Sequence, residues 1–235
     1  MLPYALFLAG SAIAFSIAER LWPRIALPLW RRQFGRDLLY LVFNAEVVGA
    51  LVAIAITWAI PPGMVLGWRT TLRLSWMSQQ PEVVQLLALF LVKDLLQWCV
   101  HRLLHRVPIL WRIHRVHHSS EVLDWLSNWR FHWLEIVVYQ TALYLPATLL
   151  AFSAPAVFGC AVLSTTLGHF AHANLGWRIG WAAYVINSPE MHIWHHVHSS
   201  AGPVDKNFGI SLSAWDWLFG TAFLPGYDPV RLGVD

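Results

Sequence analysis

Long apolar runs set the pattern of this chain. One covers residues 2–22, a second 38–60, and a third runs from Val83 through the first histidines of a polar cluster. Two more cover residues 134–152 and 155–172, the last ending at His169 and His172. Each approaches the roughly 20 residues that an α-helix needs to cross a bilayer. The breaks between runs hold turn formers and arginine. Pro23 and Pro28 interrupt a loop that carries Arg20, Arg24, Arg31, Arg32 and Arg36, and Pro61-Pro62-Gly63 stops the second run. A short segment with Trp68, Arg69, Arg73 and Trp76 is expected to lie in the membrane interface. Pro81 and Glu82 make a favourable start for the third helix, because proline is tolerated in the first turn and a carboxylate suits the positive end of the helix dipole. Pro146 is placed to kink the fourth. From Gly176 onward the chain is mixed and predicts no further span. The expected fold is an all-α integral membrane protein with about four to five transmembrane helices. Residues 1–80 would form N-terminal spans and an interfacial segment, and 81–235 one integrated catalytic region.

Composition supports the membrane reading. Hydrophobic residues make up 57% of the chain and charged ones 12%, too apolar for an ordinary soluble domain. Fifteen tryptophans agree, since tryptophan favours the membrane–water boundary. The net charge of +3 comes from arginines in short loops, which suits lipid headgroups and membrane orientation better than nucleic acid. Cys99 and Cys160 both lie in apolar runs and read as small buried hydrophobes, not as a disulfide. The N-terminus has no basic region ahead of its apolar run, so that run reads as a retained span. The positive-inside rule puts the arginine-rich loop after the first span in the cytoplasm. Alternating spans then deliver the histidines near residues 101–118, 169–172 and 192–196 to that same side.

Those histidines carry the chemistry. His101 to His118 reads HRLLHRVPILWRIHRVHH, with spacings H-x-x-x-H and H-x-x-H-H, and His192-Ile-Trp-His195-His196 repeats the second spacing. Imidazole is the commonest protein ligand for transition metals. On a helix, His101 and His105 share a face, as does Asp94, whose carboxylate is placed to accept the second N–H of a ligating imidazole. In H-x-x-H-H the adjacent pair points about 100° apart, so one imidazole can serve one metal and its neighbour another, with the first histidine completing the set. Together with one or both of His169 and His172, these supply about nine or ten nitrogens, a set for two metals rather than one. His132 and His198 stand outside the repeats. No H-E-x-x-H protease motif and no C-x-x-C zinc spacing occurs. Iron and zinc both fit the ligand type. A histidine-rich metal transporter and an inactive membrane binding protein remain as alternatives from other classes.

These residues resemble the fatty acid hydroxylase superfamily, which includes sterol desaturases and lipid hydroxylases. The likeness covers about residues 101–221 and the preceding span. It rests on the three histidine clusters and on HHSSEVLDWLSNWRFHWLE, GHFAHANLGW, INSPEMHIWHH and NFGISLSAWDWLFGT. The phrasing is closest to small bacterial sterol desaturase family proteins. The resemblance implies a membrane di-iron oxygenase that uses O2 as co-substrate to oxidise unactivated C–H bonds of lipids, with hydroxylation foremost and desaturation of a sterol-like or acyl lipid as the alternative. It implies His101, His105, His114, His117, His118, His169, His172, His192, His195 and His196 as metal ligands, with zinc able to substitute for iron in preparations. His132, in an R-x-H-x-x-E phrase, and Asp94 would support the ligands. Asn207, Gly209, Trp215 and Asp216 would dock the C-terminal lobe. No cytochrome b5-like domain is fused here, so electrons are expected from a separate cytochrome b5-like or ferredoxin-type protein. The expected location is the bacterial inner membrane, with the metals on the cytoplasmic side.

Overall fold

The computed structural model describes residues 2–71 and 74–234, except the side chains of residues 46, 69, 74, 75 and 143–146. Arg73 and the side chain of Arg69, expected in the interfacial segment, therefore lie outside the described residues. Helix α1 covers Leu2–Leu21. A second helical stretch runs through α2 (Phe34–Val42), a π-helical turn (Phe43–Val48) and α3 (Gly49–Ala59). It starts four residues earlier than the hydrophobic run predicts. α4 (Pro62–Thr71) and a 3-10 turn (Leu74–Gln79) fill the interfacial position. α5 (Glu82–Arg106) is followed at once by α6 (Pro108–His118), whose Pro108 stands where a helix needs no N–H donor. α7 (Trp133–Leu149) and α8 (Ala154–His172) form the next hairpin, and helical backbone continues through Pro146. Two short helices, α9 (Pro189–His195) and α10 (Ala214–Leu218), lie in the C-terminal region. No strand occurs among the described residues, only isolated bridges such as Val197 with Leu232.

Among the described residues, four helical stretches are long and apolar enough to cross a membrane: Leu2–Leu21, Phe34–Ala59, Glu82–Arg106 and Ala154–His172. The fold is therefore an all-α membrane architecture. α7, the fifth expected run, is 17 residues long and packs against α3 and α5.

Contacts along the helices fix their directions. Tyr4 bonds Thr165 at 2.8 Å, Ser11 bonds His169 at 2.8 Å, and Glu19 accepts from the Asn174 amide at 2.9 Å. α1 and α8 thus run parallel. Gln85 accepts from the Ser153 amide at 2.7 Å, which pairs the start of α5 with the start of α8. Between them Leu89, Phe90, Ala147 and Cys160 form a buried cluster. α1, α5 and α8 consequently end on one side of the molecule, where the polar segments gather.

One arginine differs from its expected role in topology and headgroup contact. Arg31 is buried and donates to Asp124 at 2.5 and 2.6 Å and to Asp37 at 2.6 Å. Arg130 completes the network by donating to Asp37 at 2.6 Å and to Gln33 at 2.8 Å. Asp124 also caps the 3-10 turn Trp125–Trp129 by accepting from the Ser127 amide. A buried charge is tolerable only when paired and hydrogen-bonded. The arginine-rich loop is therefore a clamp on the segment after α6.

Candidate metal centre

Three helix ends and one short helix converge on the polar side. α5 contributes His101 and His105, α6 contributes His114, His117 and His118, α8 contributes His172, and α9 with its last flanking residue contributes His192, His195 and His196. Their nitrogens form two groups. One holds His101, His105, His114, His118 and His195, the other His117, His172, His192 and His196, and in each the ligand atoms lie within 4.8 Å of one another. The adjacent pairs divide as helical geometry requires. His118 joins the first group and His117 the second, while His195 and His196 split likewise.

Hydrogen bonds on the outer nitrogens fix the tautomers. His117 Nδ1 faces the Arg130 carbonyl at 3.3 Å, and His172 Nδ1 faces the Gly168 carbonyl at 3.0 Å. A carbonyl only accepts, so each Nδ1 must carry the proton and each Nε2 presents a bare lone pair. Yet those two Nε2 atoms sit 3.2 Å apart. In the first group, His101 Nδ1 faces the Phe208 carbonyl at 2.7 Å and His114 Nδ1 faces Glu135 at 2.8 Å, with the two Nε2 atoms 3.1 Å apart. Lone pairs as close as those of His117 and His172 repel unless a cation lies between them. His105 Nε2, His118 Nε2 and His195 Nε2 are buried without a hydrogen-bond partner among the described residues. Burial pushes His114, His117, His118, His192, His195 and His196 well below the ordinary imidazole range, and neighbouring imidazoles add to the shift. They stay neutral, the form a metal takes. The donor set, imidazole with no carboxylate in either group, suits iron or zinc.

A single loop supports much of the five-histidine group. Asp205 lies 3.2 Å from His105 Nδ1, the Lys206 carbonyl 2.8 Å from His195 Nδ1, and the Phe208 carbonyl contacts His101. Asp205 and Asn207 adopt positive φ of 60° and 56°, which turns alternate groups inward. Asn207 anchors the loop by donating to the Met191 and Phe223 carbonyls at 2.7 and 2.8 Å. Asp216 accepts from the Phe208 and Gly209 amides at 2.9 and 2.7 Å, and from Trp98 and Thr221. A Cβ on Gly209 would stand 2.3 Å from the Leu212 carbonyl. The closing phrase thus docks the C-terminal lobe, and its Phe208 carbonyl also orients His101.

Three expected site residues lie elsewhere. His169 is outside both groups: its Nδ1 bonds Ser11 and its Nε2 accepts from Trp129 at 2.8 Å, which leaves neither nitrogen for a metal. Asp94 touches no histidine in the hydrogen bonds described. It accepts from the Ser211 and Leu212 amides at 3.2 and 3.1 Å and from Trp215 at 2.9 Å, joining α5 to the C-terminal lobe. His132 accepts from the Leu134 amide at 3.2 Å beside Trp133. Besides Asp205 beside His105, the carboxylate that reaches a clustered imidazole is the fully buried Glu135, at the last position of R-x-H-x-x-E. The same phrase supplies Arg130, whose carbonyl faces His117. The sequence points only to His132 in this phrase, because spacing does not show which of its groups meets an imidazole.

Comparison with known proteins agrees with this geometry. The family profile described as fatty acid hydroxylase matches residues 86–221, more than half of the chain. The ornithine lipid hydroxylase OlsE of Rhizobium tropici is 29% identical over 150 residues, which cover 64% of this chain and 45% of that protein. The alkylglycerol monooxygenase of Danio rerio is 32% identical over 159 residues, covering 62% and 32%. Methylsterol monooxygenase 1-3 of Arabidopsis thaliana is 28% identical over 182 residues, covering 74% and 58%. The matched segments thus span less than two thirds of each of these relatives. No solved structure matches the chain. On the profile match, the chain belongs to the fatty acid hydroxylase family.

Proposed function

We propose that this chain is a membrane-bound lipid hydroxylase with a histidine-held di-iron centre. His101, His105, His114, His118 and His195 would hold one iron, and His117, His172, His192 and His196 the other. The observation that carries this reading is the contact of two bare Nε2 atoms, His117 with His172, at 3.2 Å. When bound, such a pair supplies the activation of O2 that unactivated C–H bonds demand. The overall change converts C–H and O2, with two electrons and two protons, into C–OH and water.

The protein's own part is orientation and exclusion of water. Glu135 and the Arg130, Gly168, Lys206 and Phe208 carbonyls hold the outer nitrogens, so the inner ones point at fixed positions. Phe131 stacks on His117 at 4.6 Å between ring centres and screens it. Electrons come from a separate redox protein of the cytochrome b5 or ferredoxin type. We place the centre on the cytoplasmic side of a bacterial inner membrane, because the arginine-rich loop shares its side. Residues 1–80 and 81–235 act as one unit on this reading, supported by the Arg31–Asp124 pair and the α1–α8 contacts.

Metal analysis of purified protein with matched lipid analysis tests the proposal. Two irons per chain and a lipid heavier by one oxygen are expected. Less than one ion per chain would overturn it, and a lipid lighter by two hydrogens would move the reaction to desaturation.

A further inference from the structure

We infer that the centre oxidises the polar end of a lipid, at or beside its headgroup, rather than a carbon deep in an acyl chain. This rests on the lipid oxidation proposed above and adds where on the lipid the oxygen goes. Depth is the first argument. His172 is the last residue of α8, and His101 lies five residues from the end of α5, about 7.5 Å along the helix axis. The remaining clustered histidines, apart from His105 in the last turn of α5, belong to segments beyond the spans. The centre therefore stands level with the helix ends, where headgroups reside in a bilayer.

The cavities give a second, independent argument. A cavity of about 540 Å³ reaches His172 of the four-histidine group. Its wall carries Arg24, Glu121, Asp228 and Arg231, all outside the spans. Another, of about 290 Å³, reaches His105, His118 and His195 beside Asp205. By contrast, the apolar groove of about 560 Å³ between α3 and α7, lined by residues such as Val52, Ile56 and Val137, has no clustered histidine in its wall. The smaller groove of about 210 Å³ between α1 and α2 meets only His169, which belongs to neither group.

Desolvation decides between the two ends of a lipid. An acyl chain filling the 540 Å³ cavity would strip water from its charged wall and return no hydrogen bonds. A headgroup bearing phosphate, carboxylate or amine would pair with that wall instead. Arg24 and Asp228, 2.7 Å apart at the rim, offer both signs of charge. The volume also lies in the usual range for a small-ligand site. A lipid seated this way keeps its chains in the bilayer and presents the carbons next to its head to the histidine side.

Two measurements test the inference. In the first, full-length protein sits in phosphatidylethanolamine vesicles doped with a lipid carrying a photoreactive diazirine, either beside the headgroup or at the chain terminus. Crosslinks from the headgroup probe to peptides spanning residues 119–123 and 228–234 are expected, weakened about tenfold by Arg231→Ala. Crosslinks to those peptides from the chain-terminal probe alone would overturn the inference, as would none from either probe. In the second, iron-loaded protein with dithionite-reduced ferredoxin and O2 acts on bacterial polar lipids, and the products are saponified. Extra oxygen in the water-soluble head fragment, or on the acyl carbons next to the carbonyl, supports the inference. Oxygen or a double bond deeper in the released chains overturns it while leaving lipid oxidation intact. No altered lipid at all overturns both.

Discussion

His117 and His172 point their Nε2 atoms at each other across 3.2 Å, although each commits its Nδ1 proton to a backbone carbonyl. Two lone pairs at that distance are a standing repulsion in the absence of a cation. Metal removal should therefore loosen the whole polar side. Chelated protein is expected to melt at lower temperature than protein given Fe(II) or Zn(II), since metal at 100 times its Kd adds about 2.7 kcal/mol. Thermal melts with and without chelator check this, and coincident curves would contradict it.

The two groups make different histidines matter. His117→Ala and His195→Ala each remove a member of one group, and both should abolish turnover and lower metal content. His198→Ala should largely keep activity, because His198 Nδ1 closes a local turn onto Ser200 at 2.8 Å. Metal stoichiometry and lipid turnover of the three variants decide. Full activity and full metal in His195→Ala would remove that residue from the set.

Glu135 holds His114 from a buried position at the start of α7. Glu135→Ala leaves that imidazole without its orienting acceptor. Loss of such a partner typically weakens metal binding by about 10–100-fold. Glu135→Gln keeps an acceptor oxygen without the charge and should fall between. Titration of apoprotein with Co(II), followed by its visible absorption, measures this.

Asp94 is expected to act on folding rather than on metal. Its carboxylate satisfies the Ser211 and Leu212 amides and Trp215. Asp94→Ala leaves buried donors unpaired, at about 1–3 kcal/mol for each. Unfolding should come at lower temperature with unchanged metal stoichiometry in the folded fraction. A loss of metal without loss of stability would instead make Asp94 a support of the centre.

Gly209 gives the sharpest test of the supporting loop. A Cβ there meets the Leu212 carbonyl at 2.3 Å and the Asp216 carboxylate at 2.9 Å, so the backbone must move. The neighbouring Phe208 carbonyl moves with it and releases His101. Gly209→Ala should lower both stability and metal retention, whereas Gly220→Ala, beside open space but at φ of 71°, should affect stability alone. Melting curves and bound-metal measurements on both variants separate the effects.

Much of the architecture was legible because hydrophobic runs of spanning length have few alternatives in a membrane. Residues 2–22 and 155–172 match α1 and α8 almost to the residue. The H-x-x-H-H spacing also carried real geometry: neighbours point about 100° apart on a helix, and His117 and His118 do separate into different groups. Periodicity, however, reports only which residues share a face, not what the facing element offers them. His169 and His172 share a face of α8, yet His169 meets Ser11 and Trp129 while His172 meets His117 and His192. Asp94 shares the face of His101, yet the amides of the C-terminal lobe take its oxygens. Arg31 reads as one more loop arginine until Asp37 and Asp124 enclose it.

By itself, then, the sequence determined the helical membrane class and the histidine inventory, because both follow from local spacing and apolar length. Only the tertiary structure decided the rest: the division of nine histidines into two groups, the choice of Glu135 over Asp94 and His132, and the carbonyls of Arg130, Lys206 and Phe208 as supports. Those depend on contacts between segments as far as 121 residues apart. A backbone carbonyl looks the same at every position of a sequence, and it acquires a role only when folding brings an imidazole to it.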